Sequence, residues 1–421
     1  MDISMEFSRG AYVSQLVSQI GSGQVKVVTG VRRCGKTYLL NTLFKRHLIE
    51  AGIRADHIVE MDFDGYRNSV YRDPDRFLSF VDGRIADGEP YFLLLDEIQL
   101  LDRFPEVLND LLRMENVDVY ATGSNARLLS KDVVTEFRGR GYEIPMRPLS
   151  FSEFMEGFNG DKRDGYLEYA TYGGLPAVVL RKSADEKTQY LTSVMSEVYL
   201  ADIVDRYKVR DVSDLNDLVD MLSSCIGSLV NPTKIANTFK SEKHSNIARE
   251  TVDRFLAHLE DSFLFEKAVR YDIKGRKYIG AGSKYYAVDV GLRNARLNFR
   301  QFEETHIMEN ILYNELRGRG FKVDVGIVPS QRRDSQGSVR RVNYEIDFVC
   351  NLGSKRLYIQ SAYALPTQEK MDQEQASLMR VGDSFKKVIV TKDGIAPHYN
   401  DRGVLIMNIY DFLLHPSSLE I

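Results

Sequence analysis

Two hydrophobic patterns alternate over the first 150 residues. Short apolar runs occur at Val25 to Thr29, where β-branched residues dominate, and at Ile58 to Phe63, Tyr91 to Leu95 and Val117 to Thr122. Between them apolar positions return at helical spacing, as in Tyr38 to Leu48. Strands that alternate with helices predict a parallel sheet with helical crossovers, an α/β class of fold. Tyr142 to Met146 predicts a fifth strand. After Pro148, the S-x-x-E spacing of Ser150 and Glu153 has the form of a capping box at the start of a helix. A first domain is expected at 1–150.

Helical spacing dominates 151–225 and is interrupted by the turn Gly173-Gly174-Leu175-Pro176, which predicts a helical lid subdomain. Across 226–300 the pattern changes. Two amphipathic helices are expected at Thr233 to Phe239 and Ile247 to Leu264, then strands at Lys267 to Tyr271 and Lys277 to Val290 around Lys274-Gly275-Arg276. Helix, turn, helix and hairpin in that order describe a winged helix. From 301 to 421 a helix through Glu309 and Glu315 precedes strands at Phe321 to Ile327, Tyr344 to Cys350 and Arg356 to Ser361, a further α/β domain. Ser330 to Arg341 is expected to be a polar loop, and the chain shows no repeats.

Composition narrows this picture only slightly. At 421 residues the chain is longer than one hydrophobic core usually sustains, and 43% hydrophobic with 28% charged residues is ordinary globular composition. The formal net charge of −4 excludes a general polycation, so a nucleic acid would have to meet a local basic patch. Three cysteines, at 34, 225 and 350, are too dispersed for a zinc motif and fit a reducing compartment. The start Met1 to Glu6 lacks a basic and apolar leader, and no apolar run reaches the length of a membrane span. A cytoplasmic protein without a membrane partner is expected.

The chemistry is concentrated in Gly30-Val31-Arg32-Arg33-Cys34-Gly35-Lys36-Thr37, a full match to G-x-x-x-x-G-K-[ST] between an expected strand and an expected helix. Such a loop cradles phosphates with backbone N–H groups and a helix N-terminus, so Gly30, Gly35, Lys36 and Thr37 are the expected contacts to ATP. Thr37 would give a hydroxyl to Mg2+, and Asp96, at the end of an apolar strand, would supply the anionic ligand. Glu97 beside it is the expected general base for the attacking water, with an exposed structural acid as the alternative. Asn125 in Thr122-Gly123-Ser124-Asn125 is the expected polar sensor, or else a helix cap. Arg138 and Arg140 are candidate fingers reaching a neighbouring subunit's nucleotide in a homo-oligomer, or an ordinary surface pair.

This ordered set resembles the extended AAA-type ATPases whose C-terminal part is the domain of unknown function numbered 4143. Matching stretches are the phosphate loop, Leu94 to Gln99, Thr122 to Asn125, Tyr172 to Pro176, Tyr285 to Leu292 and Glu345 to Phe348. The resemblance implies an ATPase core, a winged-helix element and a C-terminal domain similar to PD-(D/E)xK restriction nucleases. In that fold the first-helix acid maps to Glu309, the metal-binding acid to Asp347, and the acid-x-Lys to Gln360-Ser361-Ala362. Gln360 and Ala362 depart from the pattern, which implies a vestigial site; Glu345, two residues before Asp347 on the same strand face, is a possible substitute acid.

Between Lys267 and Arg300 nine lysines and arginines stand against Asp272 and Asp289, with Tyr271, Tyr278, Tyr285 and Tyr286 interleaved. DNA-backbone contact is the expectation there, and a solvated hairpin face or a subunit contact is the alternative. The leading reading is Mg2+-dependent ATP hydrolysis coupled to DNA binding or remodelling. The alternatives are an ATP-gated switch acting through protein partners and an ATP-regulated nuclease.

Overall fold

The computed structural model describes residues 6–123, 139–243, 245–333, 339–392 and 394–420. Contacts divide the chain into two compact units, Met1–Pro148 with Asp261–Phe263, and Leu149–Glu260 with Leu264–Ile421.

The first unit is built on a five-stranded sheet. Its strands are β1 (Val25–Gly30), β2 (Ile58–Asp62), β3 (Tyr91–Asp96), β4 (Val117–Thr122) and β5 (Gly141–Met146), in the spatial order β2-β3-β4-β1-β5. Every pairing is parallel, as the alternation of strand and helix predicts. All six residues of β1 and of β3 are buried, which is why both read as nearly continuous apolar runs. One face packs Val25, Val27, Leu93, Leu95 and Val119 with Phe77, Leu108 and Leu111 from the covering helices. On the other face Phe44 meets Tyr120, with ring centroids 4.5 Å apart. Lys26, buried within β1, is ion-paired to Asp118 on β4, so its charge is compensated where the apolar pattern breaks.

In the second unit the expected capping box is formed. Ser150 Oγ accepts the Glu153 N–H at 3.2 Å, and Glu153 Oε2 accepts the Ser150 N–H at 2.9 Å, opening the helix Phe151–Glu156. Helices continue through Lys162–Tyr172, Ala184–Ser193, Ala201–Tyr207 and Val212–Ser224. A short strand β6 (Leu229–Val230) leads into the helices Pro232–Glu242 and Arg249–Asp261. Strands β7 (Phe265–Asp272) and β8 (Lys277–Ala287) follow, the order expected for 226–300.

The β7–β8 hairpin does not stand alone. With β6, β9 (Lys322–Arg333), β10 (Val339–Leu352), β11 (Lys355–Ala362), β12 (Lys386–Thr391), β13 (His398–Tyr399) and β14 (Leu405–Asn408), it forms a nine-stranded sheet. The join is the parallel pairing of Arg270, Tyr271 and Asp272 with Val325, Gly326 and Ile327. The boundary expected at 300 therefore falls between strands of one continuous sheet. Two local expectations are corrected. Within the stretch expected to be a polar loop, Ser330 to Arg333 and Val339 to Arg341 extend the β9–β10 hairpin, because their backbones continue the antiparallel ladder. The strand expected to reach Val290 ends at Ala287, because Asp289 accepts the Leu292 N–H at 3.0 Å and caps the helix Val290–Arg296.

That cap explains two of the sequence motifs. Asp289 Oδ2 also accepts the Gly174 N–H at 2.8 Å, and Asn294 donates to the carbonyls of Ala170 and Thr171, so the stretches around 173 and 290 are one packed junction. A Cβ on Gly291 would lie 2.0 Å from the Tyr172 carbonyl oxygen, which leaves room for glycine alone.

Burial pushes the Asp289 carboxyl up to about 6, against the backbone N–H groups that favour its charge. Replacing Asp289 by Ala removes the cap and strands a buried N–H, at an expected cost of roughly 2–4 kcal/mol. The native carboxyl is raised above its unfolded value, so its contribution is complete below about pH 4 and is lost as pH rises through 6. The gap between wild type and Asp289→Ala should therefore widen by about 1 kcal/mol from pH 7 to pH 5. Urea melts at the two pH values check this; a gap that narrows on acidification would reverse the assignment.

Candidate nucleotide site

The phosphate loop begins where β1 ends, at the carboxyl edge of the parallel sheet. Gly30 has φ 135°, and a Cβ there would stand 2.0 Å from the Met146 carbonyl oxygen, so the loop can leave the sheet only through glycine. Gly35 then precedes a helical stretch over 36–50. This orients the N-terminal N–H groups of that stretch toward the loop. Lys36 is 6% exposed, and its ammonium donates to the carbonyls of Gly30 at 3.0 Å and Val31 at 3.1 Å. The cation is thus folded across the loop it belongs to.

Asp96 closes β3 beside the loop and is 4% exposed. Thr37 Oγ1 donates to its Oδ2 at 2.8 Å, and Thr122 Oγ1, at the end of β4, donates to its Oδ1 at 2.5 Å. Burial raises the Asp96 pKa above the usual carboxylate value; both threonine hydroxyls act against the shift, while the charges of Glu97 and Asp62 add to it. Asp62 lies opposite Asp96 in the β2–β3 register, so three acids share this edge.

Glu97 departs from the strand with φ 52° and ψ 51°, a left-handed conformation that costs a non-glycine residue free energy. Its N–H donates to Thr122 Oγ1 at 3.0 Å, and its Oε2 accepts from the Gln99 side-chain amide. The turn swings the Glu97 side chain out of the strand alternation. The Gln99 amide is oriented with its nitrogen to the carboxylate, and its Oε1 is buried with no hydrogen-bond partner.

Gly30, Gly35, Lys36, Thr37, Asp96 and Glu97 are therefore gathered at one sheet edge. Thr122 and Gln99 join them; both lie in stretches that match the family, but neither was given a role of its own in the sequence. Asn125 and Arg138 lie outside the described residues. Arg140 is exposed and immediately precedes β5, whose Gly141 is in register with Val25 at the start of β1. Six strand residues separate that level from the phosphate loop, about 17 Å of rise. Arg140 thus sits at the sheet edge opposite its own loop.

The basic stretch of the second unit is only partly a surface. Lys267, Lys274, Arg276, Lys277 and Arg300 are exposed, whereas Lys284 and Arg293 are buried and Arg296 is ion-paired to Asp220 at 2.6 Å. Tyr285 and Tyr286 are also buried, so they do not interleave with exposed cations. At the hairpin tip Lys274 and Arg276 line a cleft of about 560 Å³ together with Tyr271, Lys355, Arg356 and Asp383. The Arg356 guanidinium lies over the rings of Phe385 and Tyr271, at 5.4 and 5.8 Å.

The expected vestigial cluster does converge. Glu309 from the helix Glu304–Gly318, with Glu345 and Asp347 from β10, faces Gln360 of β11. Asp347 Oδ2 accepts the Ser361 N–H at 2.9 Å, and Gln360 Oε1 accepts the Asp347 N–H at 3.4 Å. Lys284 of β8 stands among the acids, a member that no local sequence pattern indicates. Among the described residues no group of three or more His, Cys, Asp or Glu side chains is placed to hold a metal ion, and no helix is long and apolar enough to cross a membrane.

Residues 22–155 match the model of an AAA domain, and residues 163–303 match that of domain of unknown function 8612, where the sequence resemblance had pointed to 4143. An uncharacterized protein of Haemophilus influenzae is 34% identical over 415 residues, 97% of this chain and 98% of that one. A second, from Methanocaldococcus jannaschii, is 29% identical over 401 residues, 90% and 83% of the two chains. Among solved structures, the Orc1 protein of Aeropyrum pernix in complex with DNA aligns at 14% identity with a TM-score of 0.32, covering 70% of this chain and 93% of that one. AMPPCP-bound DnaA of Aquifex aeolicus aligns at 16% and 0.31, covering 61% and 88%. The loop, the parallel sheet and the full-length identity agree: the chain belongs to the family of the Haemophilus influenzae protein and carries an AAA-type ATPase domain in its N-terminal part.

Proposed function

We propose that the protein hydrolyses ATP with Mg2+ at the edge of the first sheet and couples hydrolysis to contact with DNA. The observation that carries the ATPase part is the chain of hydrogen bonds that joins Thr37 to Asp96, Asp96 to Thr122, and Thr122 to the Glu97 backbone N–H beside the phosphate loop. Mg2+ fits the donor set, a hydroxyl and a carboxylate beside a phosphate loop, and when bound it would neutralise the charge between the terminal phosphates. Thr37 and Asp96 would hold it. Lys36 leaves the carbonyls of Gly30 and Val31 for the terminal phosphates, since an ammonium gains more from phosphate charge than from peptide dipoles. Glu97 orients the attacking water and accepts its proton, and Gln99 positions the Glu97 carboxylate. Arg140, far from its own loop, serves the nucleotide of a neighbouring subunit in a homo-oligomer, with Asn125 and Arg138 in the sensor and finger roles.

The DNA part rests on the cleft at the hairpin tip. Lys274, Arg276, Lys355 and Arg356 give four cations against Asp383, and Tyr271 and Phe385 offer rings, a combination suited to a phosphodiester backbone. Within the second unit, we read 151–225 as a helical lid and the helices with the β7–β8 hairpin as a winged helix. We read 301–421 as a nuclease-like domain of the 4143 kind without nuclease activity.

Lys36→Ala should abolish tight ATP binding, measured by calorimetry; unchanged affinity would remove the lysine from the site. Glu97→Gln should bind ATP normally and turn over about a hundredfold slower or worse, the range for lost general-base assistance. Wild-type turnover in that variant would assign the base elsewhere.

Mixing Lys36→Ala with Arg140→Ala protein should restore activity that neither has alone, because one supplies an intact arginine and the other an intact loop. Specific activity that ignores both mixing and protein concentration points to self-contained sites. Replacing Lys274 and Arg276 by Glu should weaken DNA binding and lower the slope of log Kd against log salt by roughly 0.9 for each phosphate no longer neutralised. An unaltered slope would place DNA binding away from this cleft.

A further inference from the structure

Lys284 lies on β8, is 4% exposed, and points its ammonium into the acids of the C-terminal strands. Its Nζ is 2.8 Å from Glu345 Oε1, 2.9 Å from Glu309 Oε1 and 3.7 Å from Asp347 Oδ1. Glu309 Oε1 also accepts the Tyr286 hydroxyl at 2.6 Å, and Asp347 Oδ2 is held by the Ser361 N–H. The inward carboxylate oxygens are thus spent on an internal cation and neutral donors.

The inference rests on the reading of 301–421 as nuclease-like, which implies a divalent metal at this position. Mg2+ needs oxygens at about 2.0–2.1 Å in octahedral array. Two of the oxygens here lie at hydrogen-bond length from an ammonium nitrogen and the third at 3.7 Å, and the direction from which they would ligate a metal is the one Lys284 fills. Gln360 is neutral and turns its Oε1 to the Asp347 N–H. With the Lys284 ammonium ion-paired to Glu309 and Glu345, a dication placed beside it would meet a like charge in a buried site. The residues do not fit a metal.

We infer that Lys284 is the resident cation of this cluster: its ammonium takes the place a divalent metal would hold among Glu309, Glu345 and Asp347 and closes the site to such ions. The charge is supplied by a lysine from the hairpin, so the acids keep their convergent arrangement without metal chemistry. This inference stands apart from the ATPase reading, and neither depends on the other.

The test is Mn2+ titration of nucleotide-free, full-length protein followed by electron paramagnetic resonance, with Asp96→Asn in every sample so that the phosphate-loop acid does not take the ion. With Lys284 present, no bound Mn2+ should be sensitive to Glu309→Gln. Lys284→Met, or Lys284→Gln if the first variant does not fold, should gain one Mn2+ per chain bound at least tenfold tighter, and adding Glu309→Gln should abolish the gain. Mn2+ bound in a Glu309-dependent way while Lys284 is in place would overturn the proposal. A folded Lys284 variant with no new site would overturn it as well. The Lys284-containing arm decides even where both variants fail to fold.

Discussion

A carboxylate buried at the edge of a parallel sheet constrains the arrangement of the first unit. Two hydroxyls solvate Asp96 there in place of water, and each comes from a different element. Thr37 requires the helix after the phosphate loop, and Thr122 requires β4 to end level with β3. Those requirements fix the loop, which passes β5 only where a glycine stands against the Met146 carbonyl. Burial raises the Asp96 pKa despite both hydroxyls, so the site is short of positive charge as built. In the proposed ATPase reading, a phosphate-bound dication would supply what the protein withholds.

Thr122 links that carboxylate to Glu97. Its hydroxyl gives its one proton to Asp96 and accepts the Glu97 N–H, so the backbone turn that lifts Glu97 out of the strand is anchored to the same group that senses Asp96. The left-handed backbone at Glu97 is tolerated because this bond and the Gln99 amide offset its cost. Any change in charge at Asp96 alters the hydroxyl that holds the turn.

Much of this was legible in the sequence wherever the signal is local. The five strands of the first sheet, the loop between β1 and its helix, and Asp96 at a strand end all follow from periodicity and a contiguous motif. What stayed hidden is non-local. Thr122 is one β-branched residue in a β-branched run, and only the parallel register brings it to Asp96. The motifs around Gly173 and Gly291 were visible, but their contact through Asp289 was not, since more than a hundred residues separate them. Likewise the parallel pairing of β7 with β9 leaves no mark in either strand, so the hairpin seemed to belong to its own domain. The missing cation of the C-terminal cluster was sought at Ala362, where the motif spacing puts it, while the lysine came from a strand nearly eighty residues earlier.

The two buried acid sites solve the same electrostatic problem in opposite ways. At Asp96 the donors are neutral hydroxyls, which satisfy lone pairs without cancelling charge, and the ammonium of Lys36 is kept on backbone carbonyls it can leave. In the proposed ATPase reading such a site would keep negative potential for a metal and a polyphosphate. In the C-terminal cluster the counter-group is a full charge, ion-paired to Glu309 and Glu345, 3.7 Å from Asp347, and buried. Removing it would leave uncompensated carboxylates in the interior, so the cluster ties the β7–β8 hairpin to the C-terminal strands through charge as well as through the ladder. Polar neutral ligation leaves an acid site open to chemistry, whereas ionic ligation from within the fold converts one into structure.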